Sequence, residues 1–342
     1  MSDRIKVLVV DDSAFARKVM REVLSADSRM DVVGIARDGL DALEKIAALS
    51  PDVVTLDLVM PNLDGIGVLD ALRERPDAPR VVVVTMSDSD SPLGVAALAA
   101  GAFDVVHKPT ALATDRLYEL GAELVEKVTA AAAAAPGATR APSAQVAVVP
   151  VRTSSGPTKA KIVVVGASTG GPRAVTMLLR ALPADMPIPI AVVVHMPAGY
   201  TEAFAARLDG DVGLHVAEAV EGAALAPGTV TIARAGMHLR VTPNGAHLDV
   251  RPMEALHRPS VDELFKSAAT LHGASVVAVV LTGMGSDGVE GARAVRDAGG
   301  TVLVEAAATC VVHGMPRAVQ EAGLANAEAR LEDMAKAILE RI

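Results

Sequence analysis

Two sets of residues in this chain have the side chains and spacing that chemistry needs. The first is Ser168, His195 and Asp287. Ser168 lies in GASTGG, residues 166–171, between the apolar run IVVV and the segment PRAVTMLLRAL. The stretch from Gly166 to Gly170 has the pattern G-x-S-x-G. On a sharp strand-to-helix turn, this pattern lifts a serine hydroxyl above a sheet, and the glycines let a substrate approach. The N-terminus of the helix that follows would add free N–H groups and positive potential for an oxyanion. A phosphate cradle would use the same features, and a plain tight turn would need no more than the glycines. The two standard phosphate-binding spacings, G-x-x-x-x-G-K-[ST] and G-x-G-x-x-G, do not occur here.

A nucleophilic serine needs a base, and the base needs a group to orient it. The run IPIAVVV leads directly into His195, and SVVAVVL leads into TGMGSDG, residues 282–288, which contains Asp287. Taken singly, His195 reads as a structural hydrogen-bonder and Asp287 as the N-cap of a helix over GVEGARAVRDA. Taken together, the three fall at the carboxyl ends of three apolar runs. His195 would then accept the Ser168 proton and Asp287 would hold the imidazole. Backbone N–H groups near Thr169 and Met284 would form the oxyanion hole. The chain order Ser, His, Asp differs from the Ser, Asp, His order of α/β-hydrolases, so a different scaffold is expected. His238, His257 and His313 compete for the base role, but none follows a long apolar run as His195 does. His257 or Arg258 is expected to line the substrate cleft. Nothing marks a helix N-terminus at Cys310 that would activate its thiol.

The second set is acidic. Asp11 and Asp12 end the run IKVLVV, Asp57 ends DVVTL, Thr85 ends RVVVVT, and Lys108 follows FDVV. If these runs are strands of one parallel sheet, their ends share an edge, where ligands bind. Three carboxylates repel one another unless a cation compensates, and Mg²⁺, which takes oxygen ligands and keeps waters, fits. A carboxylate beside Mg²⁺ and a Lys can accept a phosphoryl group.

The elements that must hold these residues are visible as apolar runs alternating with helical patterns. Five such repeats in residues 1–128 predict a five-stranded parallel, doubly wound α/β domain. Residues 129–158, rich in Ala, Pro, Ser, Gly and Thr, read as a flexible linker. In residues 159–342 the runs IVVVG, IPIAVVV, TVTIA, SVVAVVL and TVLVE predict a second α/β parallel sheet. HLRVTPNGAHLDV predicts an added antiparallel hairpin turning at Asn244-Gly245.

Bulk properties narrow the classes. A chain of 342 residues exceeds one ordinary core, so two domains are expected. Aromatics make up 2% of residues and there is no Trp, so aliphatic side chains and alanine must build the cores. The net charge is −9, with about eight more acids than bases in the first 128 residues, and no basic face suggests a nucleic-acid partner. One cysteine excludes an internal disulfide and a cysteine-based metal cluster. The opening MSDRIKVLVVDD is too soon charged for a signal peptide, and no window approaches about 18 uninterrupted apolar residues. A cytoplasmic protein without direct membrane insertion is expected.

The first 125 or so residues resemble the receiver domain of two-component response regulators. The resemblance implies that Asp57 is the phosphoacceptor, that Asp11 and Asp12 join it in carrying Mg²⁺, and that Thr85 and Lys108 contact the phosphoryl group. Receivers often have an aromatic three residues before the Lys; this chain has Val105. GASTGG, VVVHMPAGYT, HRPSVDELF, LTGMGSDG and CVVHGMP, in this order behind a receiver, resemble the chemotaxis protein-glutamate methylesterase and glutaminase family. That resemblance implies hydrolysis of glutamate γ-methyl esters on chemoreceptor cytoplasmic helices, with release of methanol, and deamidation of receptor glutamines. It implies the triad Ser168, His195 and Asp287, and no cofactor for ester hydrolysis. It further implies methyl-accepting chemotaxis receptors as substrates, a chemotaxis histidine kinase as phosphodonor, and a receiver that covers the active site until Asp57 is phosphorylated. Glu305 stands where the family often has Gln, a change expected to leave catalysis intact and to bear on substrate fit. Two other output roles compete: a partner-binding module without catalysis, and a nucleotide-binding domain using GASTGG.

Overall fold

In the computed structural model, residues 4–73, 75, 77–85, 91–108, 114–134, 160–252 and 255–342 are described. The chain divides into two compact units at residues 139/140.

The first unit alternates strands and helices: β1 (Ile5–Val10), α1 (Ala14–Ala26), β2 (Met30–Ala36), α2 (Gly39–Leu49), β3 (Val53–Leu56), α3 (Gly65–Leu72), β4 (Arg80–Thr85), α4 (Ser91–Ala100), β5 (Asp104–His107) and α5 (Thr114–Ala133). Its sheet is parallel in the order β2-β1-β3-β4-β5. The inner strands are buried on both faces, as the continuous Val and Leu runs require. Short polar residues start the helices: Ser13, Asp38 and Asp64 each accept a backbone N–H of the first turn. The alanine run expected to open the linker at 129 instead continues α5 through Ala133, in keeping with alanine's helix propensity. The rest of the expected linker, residues 135–158, lies outside the described residues.

The second unit carries β6 (Ile162–Ala167), α6 (Gly171–Ala181), β7 (Ile190–Val194), α7 (Tyr200–Asp211), β8 (His215–Glu218), β9 (Thr229–Ile232), β10 (His238–Thr242), β11 (Gly245–Asp249), α8 (Val261–His272), β12 (Val276–Val280), α9 (Val289–Asp297), β13 (Thr301–Glu305), α10 (Met315–Glu321), β14 (Ala327–Ala329) and α11 (Leu331–Leu339). Among the described residues, seven strands form one parallel sheet in the order β14-β13-β12-β6-β7-β9-β8. The strand order reverses at β6, whose neighbours are β7 on one side and β12 on the other. Edge strands β8 and β14 were not expected: HVAE and AEA are too short and too polar to stand out as apolar runs.

The hairpin β10–β11 forms, but its register differs from expectation. Thr242 pairs with Gly245, so Pro243-Asn244 make the turn and Gly245 opens β11 at φ +102°. Proline fits the first turn position, and Gly245 takes its positive φ without the penalty a side chain would bring.

Helix α8 seals the core. Val261, Leu264, Phe265 and Ala268 are fully buried and pack with Val164, Ala278 and Ala292. Among the described residues, no helix is long and apolar enough to cross a membrane. Phe265→Ala is expected to cost about 3–5 kcal/mol, measured by urea unfolding followed by circular dichroism. A cost below about 1 kcal/mol would show that the ring is not a core element.

Candidate functional site

The parallel register places the first set of residues. Ala167 pairs with Val194, and the His195 N–H donates to the Ala167 carbonyl at 3.1 Å. Ser168 and His195 are therefore the next residues out on neighbouring strand ends. On the other side of β6, Val280 pairs with Gly166, and the Ser168 N–H donates to the Thr282 carbonyl at 3.0 Å. The Ser168 turn thus sits at the point where the strand order reverses, the usual place for a ligand in such sheets. The turn is tight on both flanks. Gly170 holds φ +76°, and a Cβ there would lie 2.6 Å from the Cβ of Val311. A Cβ on Gly283 would lie 2.8 Å from the Cβ of Ser168.

His195 Nε2 is 2.9 Å from Asp287 Oδ2, with side chains 11% and 7% exposed. Asp287 accepts three further hydrogen bonds: from the Ser260 hydroxyl at 2.9 Å, the Val261 N–H at 2.8 Å and the Asp262 N–H at 3.0 Å. Burial alone would raise its pKa, but His195 and the two backbone N–H groups hold it down at about 2. Asp287 is therefore an anion at neutral pH. It fixes the proton of His195 on Nε2 and leaves Nδ1 with a lone pair. That Nδ1 is buried and has no hydrogen-bond partner, and Ser168 Oγ makes no hydrogen bond among the described residues. The N–H groups of Thr169 and Met284 also have no acceptor among the described residues.

Asp287 does cap a helix, but not the one expected. It caps α8, through Val261 and Asp262, rather than α9 that follows it. Helix α9 is served in return by Asp262, which accepts the N–H groups of Gly288 at 2.9 Å and Gly291 at 2.7 Å. Each helix start is capped from the other helix's side. The HRPSVDELF motif is thereby explained, since its Ser260, Val261 and Asp262 hold the orienting carboxylate.

The rival histidines separate. His238 is fully buried; its Nδ1 accepts the Ser260 N–H at 3.2 Å, which makes it a support for the segment entering α8. His257 stacks on His195, with ring centroids 4.2 Å apart and planes 19° from parallel. Burial against this face and the nearby His195 push its pKa down, so it presents a neutral ring. Burial pushes the Cys310 thiol up, which leaves it a poor nucleophile. Glu305 is fully buried behind the Thr282 turn and accepts the Thr282 N–H at 2.8 Å, so it faces the turn and not a substrate. Thr282 opens the TGMGSDG turn and Glu305 follows TVLV, but nothing in the sequence shows that they bond to each other or that Thr282 holds the Ser168 turn.

The acidic set also converges. Asp11, Thr85, Asp57 and Lys108 are buried, and Asp12 is exposed. Lys108 Nζ contacts both Asp11 and Asp57, the latter at 3.0 Å. Burial raises the Asp57 pKa; Lys108 opposes the rise and Asp11 adds to it. One oxygen from each of Asp11, Asp12 and Asp57 lies within 4.8 Å of the others. Three carboxylate oxygens so grouped suit Mg²⁺, which binds through a few carboxylates and retained waters.

Comparisons with known proteins identify the family of each unit. A family model described as CheB methylesterase matches residues 163–338, and one described as response regulator receiver domain matches residues 7–119. The chain is 59% identical over 336 residues to protein-glutamate methylesterase/protein-glutamine glutaminase 5 of Myxococcus xanthus, covering 96% of each chain. It is 42% identical over 344 residues to the protein-glutamate methylesterase/protein-glutamine glutaminase of Geobacillus kaustophilus, covering 99% of each. The crystal structure of the Thermotoga maritima CheB methylesterase catalytic domain matches at 40% identity with TM-score 0.51, covering 54% of this chain and all of that one.

Asp287 titrates at about 2 in the folded protein against an ordinary 3.8. A depressed carboxyl pKa stabilises the fold above the unfolded value and loses that contribution as pH falls through the folded one. The native protein is therefore expected to lose about 2 kcal/mol between pH 4 and 2 that Asp287→Asn does not lose, in acid unfolding followed by circular dichroism. Parallel acid-unfolding curves would refute the ionised, hydrogen-bonded Asp287.

Proposed function

Because this chain belongs to the CheB methylesterase family and carries a receiver domain, we propose that it is a phosphorylation-activated esterase and glutaminase acting on chemoreceptor side chains. The observation that carries the chemistry is the His195–Asp287 hydrogen bond of 2.9 Å, with the ring's other nitrogen unpartnered beside the Ser168 strand end.

Ser168 Oγ attacks the carbonyl carbon of a glutamate γ-methyl ester while His195 Nδ1 takes its proton. The carbonyl oxygen becomes an oxyanion, received by the Thr169 and Met284 N–H groups. As the C–O bond to the methoxy group breaks, His195 returns the proton and methanol leaves. Water then attacks the acyl-enzyme with His195 again as base, giving the free glutamate and restoring Ser168. With a glutamine side chain the same steps release ammonia. Asp287 stays ionised throughout and stabilises the imidazolium that forms in each half.

In the receiver, Asp57 is the phosphoacceptor, with Thr85 and Lys108 at the phosphoryl oxygens. Asp11, Asp12 and Asp57 would hold Mg²⁺, which would neutralise charge on the transferred group. The phosphodonor is a chemotaxis histidine kinase, the substrates are methyl-accepting chemotaxis receptors, and the setting is the cytoplasm. Residues 1–128 act as the regulatory domain, residues 159–342 as the catalytic domain, and the segment between them as the linker. The receiver resemblance and the buried Asp57–Lys108 pair support this control.

The test is methanol release from methyl-labelled chemoreceptor membranes, with and without a small-molecule phosphodonor and Mg²⁺. The native protein should release methanol faster with phosphodonor. Ser168→Ala should release about 10⁴-fold less in either state, and Asp57→Ala should not respond to phosphodonor. Release that survives Ser168→Ala would sink the nucleophile assignment. A response that survives Asp57→Ala would sink the acceptor assignment. Removal of residues 1–150 should leave a folded hydrolase more active than the unphosphorylated full chain; a folded but less active fragment would overturn inhibition by the receiver.

A further inference from the structure

Glu305 ends β13, and its side chain is fully buried. Its Oε2 accepts the Thr282 N–H at 2.8 Å, while Oε1 is buried without a hydrogen-bond partner. Thr282 in turn grips the nucleophile turn twice. Its carbonyl accepts the Ser168 N–H at 3.0 Å, and its hydroxyl donates to the Thr169 carbonyl at 3.0 Å while accepting the Val312 N–H at 2.9 Å. Gly283 and Met284 continue from this anchor. The Gly283 N–H donates to Val312 at 3.0 Å, and its carbonyl accepts the N–H groups of Gly314 at 3.0 Å and Met315 at 2.8 Å. The direction of the Met284 N–H follows from these bonds.

We propose that Glu305 is a positioning residue for hydrolysis at Ser168: buried and bonded to the Thr282 N–H, it fixes Thr282, and through Thr282 both the Ser168 turn and the Met284 N–H, and a charge on it weakens that site. The inference rests on the reading of Ser168 as nucleophile.

Among the described residues, no base forms an ion pair with Glu305, whose bond is to the Thr282 N–H. Arg330 pairs with Glu332 at 2.6 Å, and Arg293 on α9 and Arg317 on α10 pair with Glu290 and Glu321 of their own helices at 3.6 Å each. The other titratable groups on the neighbouring segments are Cys310, His313, Glu328 and Asp287. Of these, the thiol is kept uncharged by burial, the buried His313 Nε2 has no hydrogen-bond partner, Glu328 accepts from Gln320, and Asp287 is committed to His195. Burial pushes Glu305 up to about 7; the Thr282 N–H opposes the rise and Glu332 adds to it. An ionised Glu305 would set an uncompensated negative charge behind the N–H groups that receive an oxyanion, and would weaken them. Gln keeps the acceptor for Thr282 and cannot ionise.

The experiment follows the rate at which a fluorophosphonate labels Ser168 in the full chain, detected by mass, between pH 6 and 8.5. The rate for Glu305→Gln divided by that of the native protein should rise roughly threefold to tenfold over this range. Glu305→Ala, which leaves the Thr282 N–H unbonded, should be slower at every pH. Thermal unfolding gives a second readout. With a folded value of about 7 against an ordinary 4.5, the stabilising contribution is complete below pH 4.5, is lost as pH rises to 7, and is level above it. Glu305→Gln should lack that slope. A labelling ratio that stays flat with pH overturns the proposal, whether or not the stability slope appears. Failure of Ser168 to label in the native protein sinks the nucleophile reading and takes this inference with it.

Discussion

The catalytic unit depends on one buried anion. Asp287 accepts from an imidazole, a hydroxyl and two backbone N–H groups within 3.0 Å. Removing a carboxylate from water is costly unless it is paired and fully hydrogen-bonded. Here the start of α8 supplies the compensation, because its free N–H groups and positive potential point at the carboxylate. The arrangement has two consequences. It locks the His195 ring with its basic nitrogen unpartnered, and it ties α8 to the loop after β12. The support of the active site and the closure of the core are thus one interaction. Asp262 repeats the device in the opposite sense at the start of α9.

The second constraint is the parallel register. Strands β12, β6 and β7 are adjacent, so the residues just past their ends come together whatever their separation in the chain. His195 and Asp287 are 92 residues apart in sequence. Hydrogen bonds across the strand ends set their relative height: Leu281 N–H to the Gly166 carbonyl at 2.9 Å, and His195 N–H to the Ala167 carbonyl at 3.1 Å. Side chains on rigid strand ends are held more precisely than side chains on free loops.

Much of this was legible in the sequence, for a physical reason. Strands buried on both faces must be nearly continuous aliphatic runs, and the residue that breaks each run marks the edge of the sheet. Asp11 and Asp57 in the first unit, and Ser168 and His195 in the second, each break such a run, so the convergence within each unit could be read without coordinates. Three things could not. The edge strands β8 and β14 bury little, so composition does not select for apolar residues there. The helix that Asp287 caps could not be chosen, because a cap across the fold has no local signature. The inward turn of Glu305 could not be read either, since nothing in VEAAATC shows that the acid points toward Thr282.

Three buried carboxyl sites in this chain solve the same problem in three ways. In the receiver, Asp11 and Asp57 share Lys108, so a mobile cation or a transferred anion can still change the local balance. Asp287 is compensated by backbone dipoles and His195, which do not move when chemistry occurs, and this suits a group whose charge must stay constant. Glu305 has neither a cation nor a helix start; it has a single N–H donor. With so little to stabilise an anion, the neutral acid is the form that burial selects. The chemistry available at each site follows from what compensates its charge: exchangeable at Asp57, fixed at Asp287, and absent at Glu305.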